Sequence, residues 1–123
     1  MTLISKESFI SALANYHRFE YQEFPFDVTR TDEEDGTTIY EYESLGYKIR
    51  TVLYTMQTEN RTLFIEKEYI DSIESPNVYG YHFSEVKIFG YDNGKYFRLG
   101  VFYSDPEPLL ELVDKVTIVK YQP

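Results

Sequence analysis

Cysteine and tryptophan are absent from the 123 residues, proline and glycine are scarce at five and six, and bases are outnumbered by acids, 12 to 21. Each shortage removes a class of protein. Without cysteine there is no disulfide framework, thiolate zinc site or thiol nucleophile. No run of roughly 18 apolar residues occurs, so no membrane-spanning helix is expected. The N-terminal MTLISKESFISALANYHRFE lacks the basic start and long apolar segment of a secretion signal. The expectation is a soluble, unexported, cytoplasmic protein with no membrane partner, in which the sequon Asn60-Arg61-Thr62 is a turn rather than a glycosylation site. The glycines in SLGYK, VYGYH, IFGYD and RLGVF stand alone, so no phosphate-cradling loop is present and a nucleotide-binding enzyme is disfavoured.

The shortage of bases leaves a formal charge of −9. Residues 1–45 hold ten acids against Lys6, Arg18 and Arg30, for −7, and the remainder of the chain contributes −2. Such a balance disfavours direct binding of nucleic acid, which requires Lys and Arg to displace counterions, and favours a basic protein partner. What the chain does have is ring and aliphatic surface: 42% hydrophobic residues, with 13 Tyr and 9 Phe. That composition argues for a folded chain, and the length suits one domain, residues 1–123, burying roughly two-thirds of its unfolded surface.

Along the chain, Phe9, Ile10, Leu13 and Tyr16 or His17 recur at helical spacing over 5–18, with Ser5 as N-cap. Period two follows in Phe24, Phe26 and Val28, and Pro25 restricts that strand, 24–30, to an edge. An edge strand is also a surface on which a second copy of the chain can pair. A two-residue turn at Leu45-Gly46 sets Glu43 against Lys48, Glu41 against Arg50, Tyr42 against Ile49 and Ile39 against Val52, so charges meet charges and apolar groups meet apolar groups. A three-residue loop, Thr58–Asn60, then predicts Leu53 opposite Ile65, Tyr54 opposite Phe64, and a row of Glu41, Arg50 and Glu68. Residues 70–77 read as a connection and VYGYHF as a short strand. Asn93-Gly94 predicts a type I′ hairpin with Asp92 facing Lys95, Ile88 facing Leu99 and Val86 facing Val101. SDPEPLLELVDKV predicts a short helix to about residue 115, and VTIVKY a closing strand. The expected fold class is α+β: an N-terminal helix on a mostly antiparallel sheet of about six to seven strands, with a short C-terminal helix and a last strand.

The run Asp32-Glu33-Glu34-Asp35-Gly36 resembles a calcium loop in composition, but aligning Gly36 with the EF-hand glycine puts Thr31 at the first ligand position and Tyr42 where a bidentate Glu is required. No metal site is expected, and no cofactor. His17 and His82 lack metal-ligand spacing and a serine-centred nucleophile motif, and the carboxylates show no pattern that splits their pKa values, so no catalytic residue is assigned. Tyrosine beside acid is a contact chemistry: rigid rings supply area and carboxylates select a basic partner. The expectation is therefore a small non-enzymatic protein-binding module, an inhibitor or immunity or anti-defence type of protein acting on a basic, nucleic-acid-handling partner, with DNA mimicry as one version. Its candidate contacts are Glu20, Glu23, Asp27, Asp32, Glu33, Glu34, Asp35, Tyr40 and Tyr42. The alternative is a small-ligand binder with an aromatic pocket between sheet and N-terminal helix, using His17, His82, Tyr79 and Tyr81.

Overall fold

The computed structural model describes residues 2–57 and 59–104. The predicted C-terminal helix and closing strand lie outside them. Seven strands form one antiparallel sheet among the described residues: β1 (Thr2–Ile4), β2 (Thr29–Asp32), β3 (Thr38–Ser44), β4 (Tyr47–Gln57), β5 (Arg61–Ser72), β6 (His82–Asp92) and β7 (Lys95–Phe102), in the order β1-β7-β6-β5-β4-β3-β2. The helices α1 (Lys6–Tyr16) and α2 (Arg18–Tyr21) join β1 to β2. The short β1, absent from the expected elements, pairs with β7 and so lies at the far side of the sheet from the next strand in the chain.

Helix α1 starts where expected because the Ser5 hydroxyl accepts a hydrogen bond from the Ser8 amide, satisfying one free N–H of the first turn. It buries Phe9 and Tyr16, while Ile10 faces solvent. Phe9, Tyr16, Tyr40, Leu53 and Phe89 form the core on the helix side of the sheet, flanked by Ile4, Ala12, Leu13, Phe19 and Phe64. The opposite face carries a second core, Leu63, Ile65, Val86, Ile88 and Phe97, each no more than 1% exposed. Both faces of β5 and β6 are therefore buried, and each strand needs apolar residues in consecutive positions.

The turns decide the registers. Leu45 and Gly46 both take positive φ, 52° and 84°, and every pair expected across β3–β4 is present. Asn93 and Gly94 close β6–β7 in the same way, with Asp92 opposite Lys95. Beyond Phe89 that ladder slips: Leu99 is an extra residue on β7, so Ile88 faces Gly100 and Val86 faces Phe102 rather than Leu99 and Val101. Gly100 at φ 103° supplies the backbone conformation the bulge needs. The β4–β5 register also differs from expectation. Gln57 pairs with Thr62, one residue further than a three-residue loop allows, so Leu53 faces Glu66, Tyr54 faces Ile65 and Arg50 faces Tyr69. A one-residue slip exchanges the two faces, and Glu68 stands opposite Thr51 instead of joining Arg50.

Two further expectations change. Residues 24–28 are not a strand; pairing starts at Thr29, because Pro25 offers no amide and the flanking rings find partners by stacking. The segment Val78–Tyr81 precedes β6 rather than forming part of a strand: Asn77 Oδ1 accepts from the Tyr79 amide, the Asn77 carbonyl accepts from Gly80, and the Asn77 amide donates to Asp71. Asparagine here offers the backbone a turn in place of a ladder.

Leu45 carries a branched side chain in the left-handed region while its side chain is 95% exposed and packs little. Leu45→Asn is expected to stabilise the chain by about 1 kcal/mol in urea unfolding, since the left-handed conformation costs a residue with an ordinary side chain roughly 1–2 kcal/mol. An unchanged midpoint would show the turn to be unstrained. Gly90 is the reverse case. A Cβ there would lie 2.0 Å from the Thr62 carbonyl oxygen on the neighbouring strand, so Gly90→Ala is expected to cost at least the ~1–3 kcal/mol of ordinary overpacking.

Candidate acidic and aromatic cleft

Ring stacking holds the chain between α2 and β2. Phe24 stacks on Phe26 at 5.3 Å, Phe26 on Tyr42 at 4.7 Å with planes 10° apart, and Phe19 on Tyr40 at 4.5 Å. This ladder carries residues 24–28 past the outer edge of β3 without backbone pairing. Strand β2 joins β3 only from Thr29, opposite Glu41, so Tyr42, Glu43 and Ser44 have no strand on their outer side among the described residues.

At that bare edge lies a cleft of about 540 Å³. Its walls carry three carboxylates, Asp27, Glu41 and Glu43, three rings, Phe26, Tyr42 and Tyr81, and Lys48 and Thr29. One guanidinium already occupies this chemistry. Arg50 lies 4.3 Å from the centre of the Tyr81 ring, its Nη2 donates to Glu41 Oε2 at 3.2 Å, and the Tyr81 hydroxyl reaches the same oxygen at 3.5 Å. Burial raises the Tyr42 and Tyr81 hydroxyl pKa values, and Glu41 adds to the rise at Tyr81, so both rings stay neutral donors at physiological pH.

The acids that dominate the sequence are arranged differently. Asp32 accepts from Arg30 at 3.1–3.2 Å and from the Thr38 hydroxyl at 3.0 Å, and these bonds hold its carboxyl below the usual range. Asp35 accepts from the Thr37 amide at 2.9 Å, which lowers its pKa and closes the β2–β3 turn with Gly36 at φ 90°. Both are exposed and gain no burial energy. Glu33 and Glu34 project into solvent from that turn, and Glu23 is exposed after α2. Glu20 lies 3.7 Å from Arg30 and 3.4 Å from His17. Tyr40 is 3% exposed beneath Phe19, leaving no ring surface to offer a partner. Of the nine expected contacts, Asp27 and Tyr42 line the cleft.

The residues expected around a ligand do not converge. His17 packs edge-on against Tyr16, His82 is exposed beside Asn77, Tyr79 is 93% exposed, and Tyr81 belongs to the cleft. A cavity between α1 and the β6–β7 end of the sheet is lined by other residues, while a smaller one of about 200 Å³ is lined by His17 with Tyr16, Tyr40 and Phe64 but by none of His82, Tyr79 and Tyr81. In the sequence Glu43 and Lys48 are legible as cross-strand partners and Phe26 as a strand side chain, and no spacing marks them as one wall. The signal that could have joined them is Pro25, which ends pairing short of residue 29.

No protein-family model, curated protein or solved structure matches the chain. Among the described residues no helix is long and apolar enough to cross a membrane, and no three His, Asp or Glu side chains stand close enough to share a metal ion.

Tyr16, packed against Phe64 and Phe89, has its hydroxyl pushed up to about 12 by burial and then by Glu66. The unfolded phenol ionises near 10, so this group's contribution is complete below pH ~10 and is lost as pH rises to about 12. Tyr16→Phe is expected to flatten the alkaline fall in unfolding free energy by up to ~2–3 kcal/mol over that window, measured by urea titration at stepped pH. An identical slope in both proteins would refute this role for the Tyr16 phenol.

Proposed function

We propose that this chain is a non-enzymatic binding module that takes a basic segment of a protein partner into the cleft beside β3. The observation that carries the reading is the meeting of Asp27, Glu41 and Glu43 with the rings of Phe26, Tyr42 and Tyr81 around one concave space. A cationic side chain gains there from Asp27 and Glu43 and from the negative faces of the rings, while Glu41 is already held by Arg50, and that internal Arg50–Tyr81–Glu41 contact is an example of such packing within the same wall. The outer edge at Tyr42–Ser44, unpaired among the described residues, offers backbone groups to an extended peptide, which sets direction while the cleft selects charge. Proteins that handle nucleic acids are rich in exposed Lys and Arg and are the partner class this chemistry favours, with inhibition as the consequence of covering their basic surface. Mimicry of a duplex is the weaker version, because Asp32, Glu41 and Glu66 are neutralised by Arg30, Arg50 and Arg18.

Titration with an extended Lys- and Arg-rich peptide, followed by backbone amide shifts, tests the reading. Shifts are expected to centre on residues 26–29, 41–48 and 81, with affinity falling as salt rises. The double variant Asp27→Asn, Glu43→Gln is expected to bind about tenfold more weakly, near 1.4 kcal/mol, while Glu33→Gln, Glu34→Gln on the turn changes little. Equal losses from the two pairs would mean that diffuse charge attracts the peptide and the cleft does not.

A further inference from the structure

A second hollow, of about 450 Å³, lies between α1 and the β6–β7 end of the sheet, remote in chemistry from the acidic cleft. Its volume falls within the roughly 300–1,000 Å³ of ordinary ligand pockets. Ile4, Ala12, Phe89 and Val101 make its apolar wall, and the bulge at Gly100 leaves open space where a side chain would stand.

The charges at this hollow run against the sign of the protein. Arg98 and Lys87, on adjacent strands and both exposed, line it in a chain of net −9. Arg98 forms no ion pair or side-chain hydrogen bond among the described residues. Lys87 has a loose contact with Glu85, 3.9 Å away. The acid that also reaches the wall, Glu66, is held by Arg18 at 2.6 and 3.3 Å and is thereby neutralised toward a ligand. An apolar chamber lined by an uncommitted guanidinium and a loosely held ammonium selects an anion attached to a hydrocarbon body. A bare inorganic anion would leave the apolar wall unused, and a cation would meet Arg98.

We infer that this hollow binds an aliphatic carboxylate, with the chain against Ile4, Ala12, Phe89 and Val101 and the carboxylate at Arg98 and Lys87. The site is independent of the acidic cleft and calls for a ligand of the opposite charge.

Octanoate, octylammonium and acetate, added separately to the full chain and followed by calorimetry and amide shifts, form the test. Octanoate is expected to bind saturably and raise the melting temperature, with shifts in α1, β1 and β7, while octylammonium and acetate bind at least tenfold more weakly. Arg98→Gln, a surface change, is expected to weaken octanoate about tenfold. Ala12→Phe is expected to fill the hollow and abolish binding; if its amide spectrum shows an unfolded chain, Ser8→Phe on the exposed side of α1 serves as the plug. Equal affinity for octanoate and octylammonium, an undiminished affinity in Arg98→Gln, or no octanoate binding to the wild type would each overturn the inference.

Discussion

The packing of Phe9 against the sheet is the contact on which the remaining architecture hangs. Its ring meets Phe64, Phe89 and Tyr91 edge-on at 5.8–6.1 Å and lies 4.6 Å from Tyr96, so one helical side chain touches residues of β5, β6 and β7. Edge-to-face contacts are directional as well as apolar, and three of them around one ring, with the tilted Tyr96 ring as a fourth neighbour, fix both the position and the rotation of α1. The chain before the helix is then delivered to the open side of β7, where β1 pairs, and the chain after it to the far end of the sheet, where α2 presents Phe19 and Arg18.

Both candidate sites follow from that placement. The hollow exists because α1 rests on large rings at Phe9 and Tyr16 while its small residues, Ser8 and Ala12, stand over the glycine bulge of β7. The cleft exists because the chain leaving α2 contains Pro25 between two phenylalanines, so it is held by stacking on Tyr42 and does not extend the sheet. A regular strand at 24–28 would have covered the edge of β3 and closed the cleft.

Charge in this protein is more organised than a net value of −9 suggests. Arg18 is joined to Glu66 in a largely buried pair, Arg30 bridges Asp32 and Glu20, and Arg50 serves Glu41. Arg18 answers an acid 48 residues away, Arg50 one nine residues away, and Arg30 one only two residues away. A potential reckoned from composition places the negative field on DEED. Pairing with Arg30 takes Asp32 out of that run.

The amino-acid order by itself determined those features whose causes lie within a few residues: the Ser5 cap and α1, the Leu45-Gly46 and Asn93-Gly94 turns with the pairs nearest them, and the mostly antiparallel sheet. Turn chemistry and side-chain alternation are short-range, so they are legible without a structure. The β4–β5 register, the Leu99 bulge and the pairing of β1 with β7 were decided by the tertiary structure, because burial on both faces of β5 and β6 removes the alternation that would reveal a one-residue slip. The sites belong to the same class. Asp27, Glu43 and Tyr81, like Ala12, Lys87 and Arg98, are brought together by packing between segments distant in the chain, and no spacing along a sequence encodes a distance of that kind.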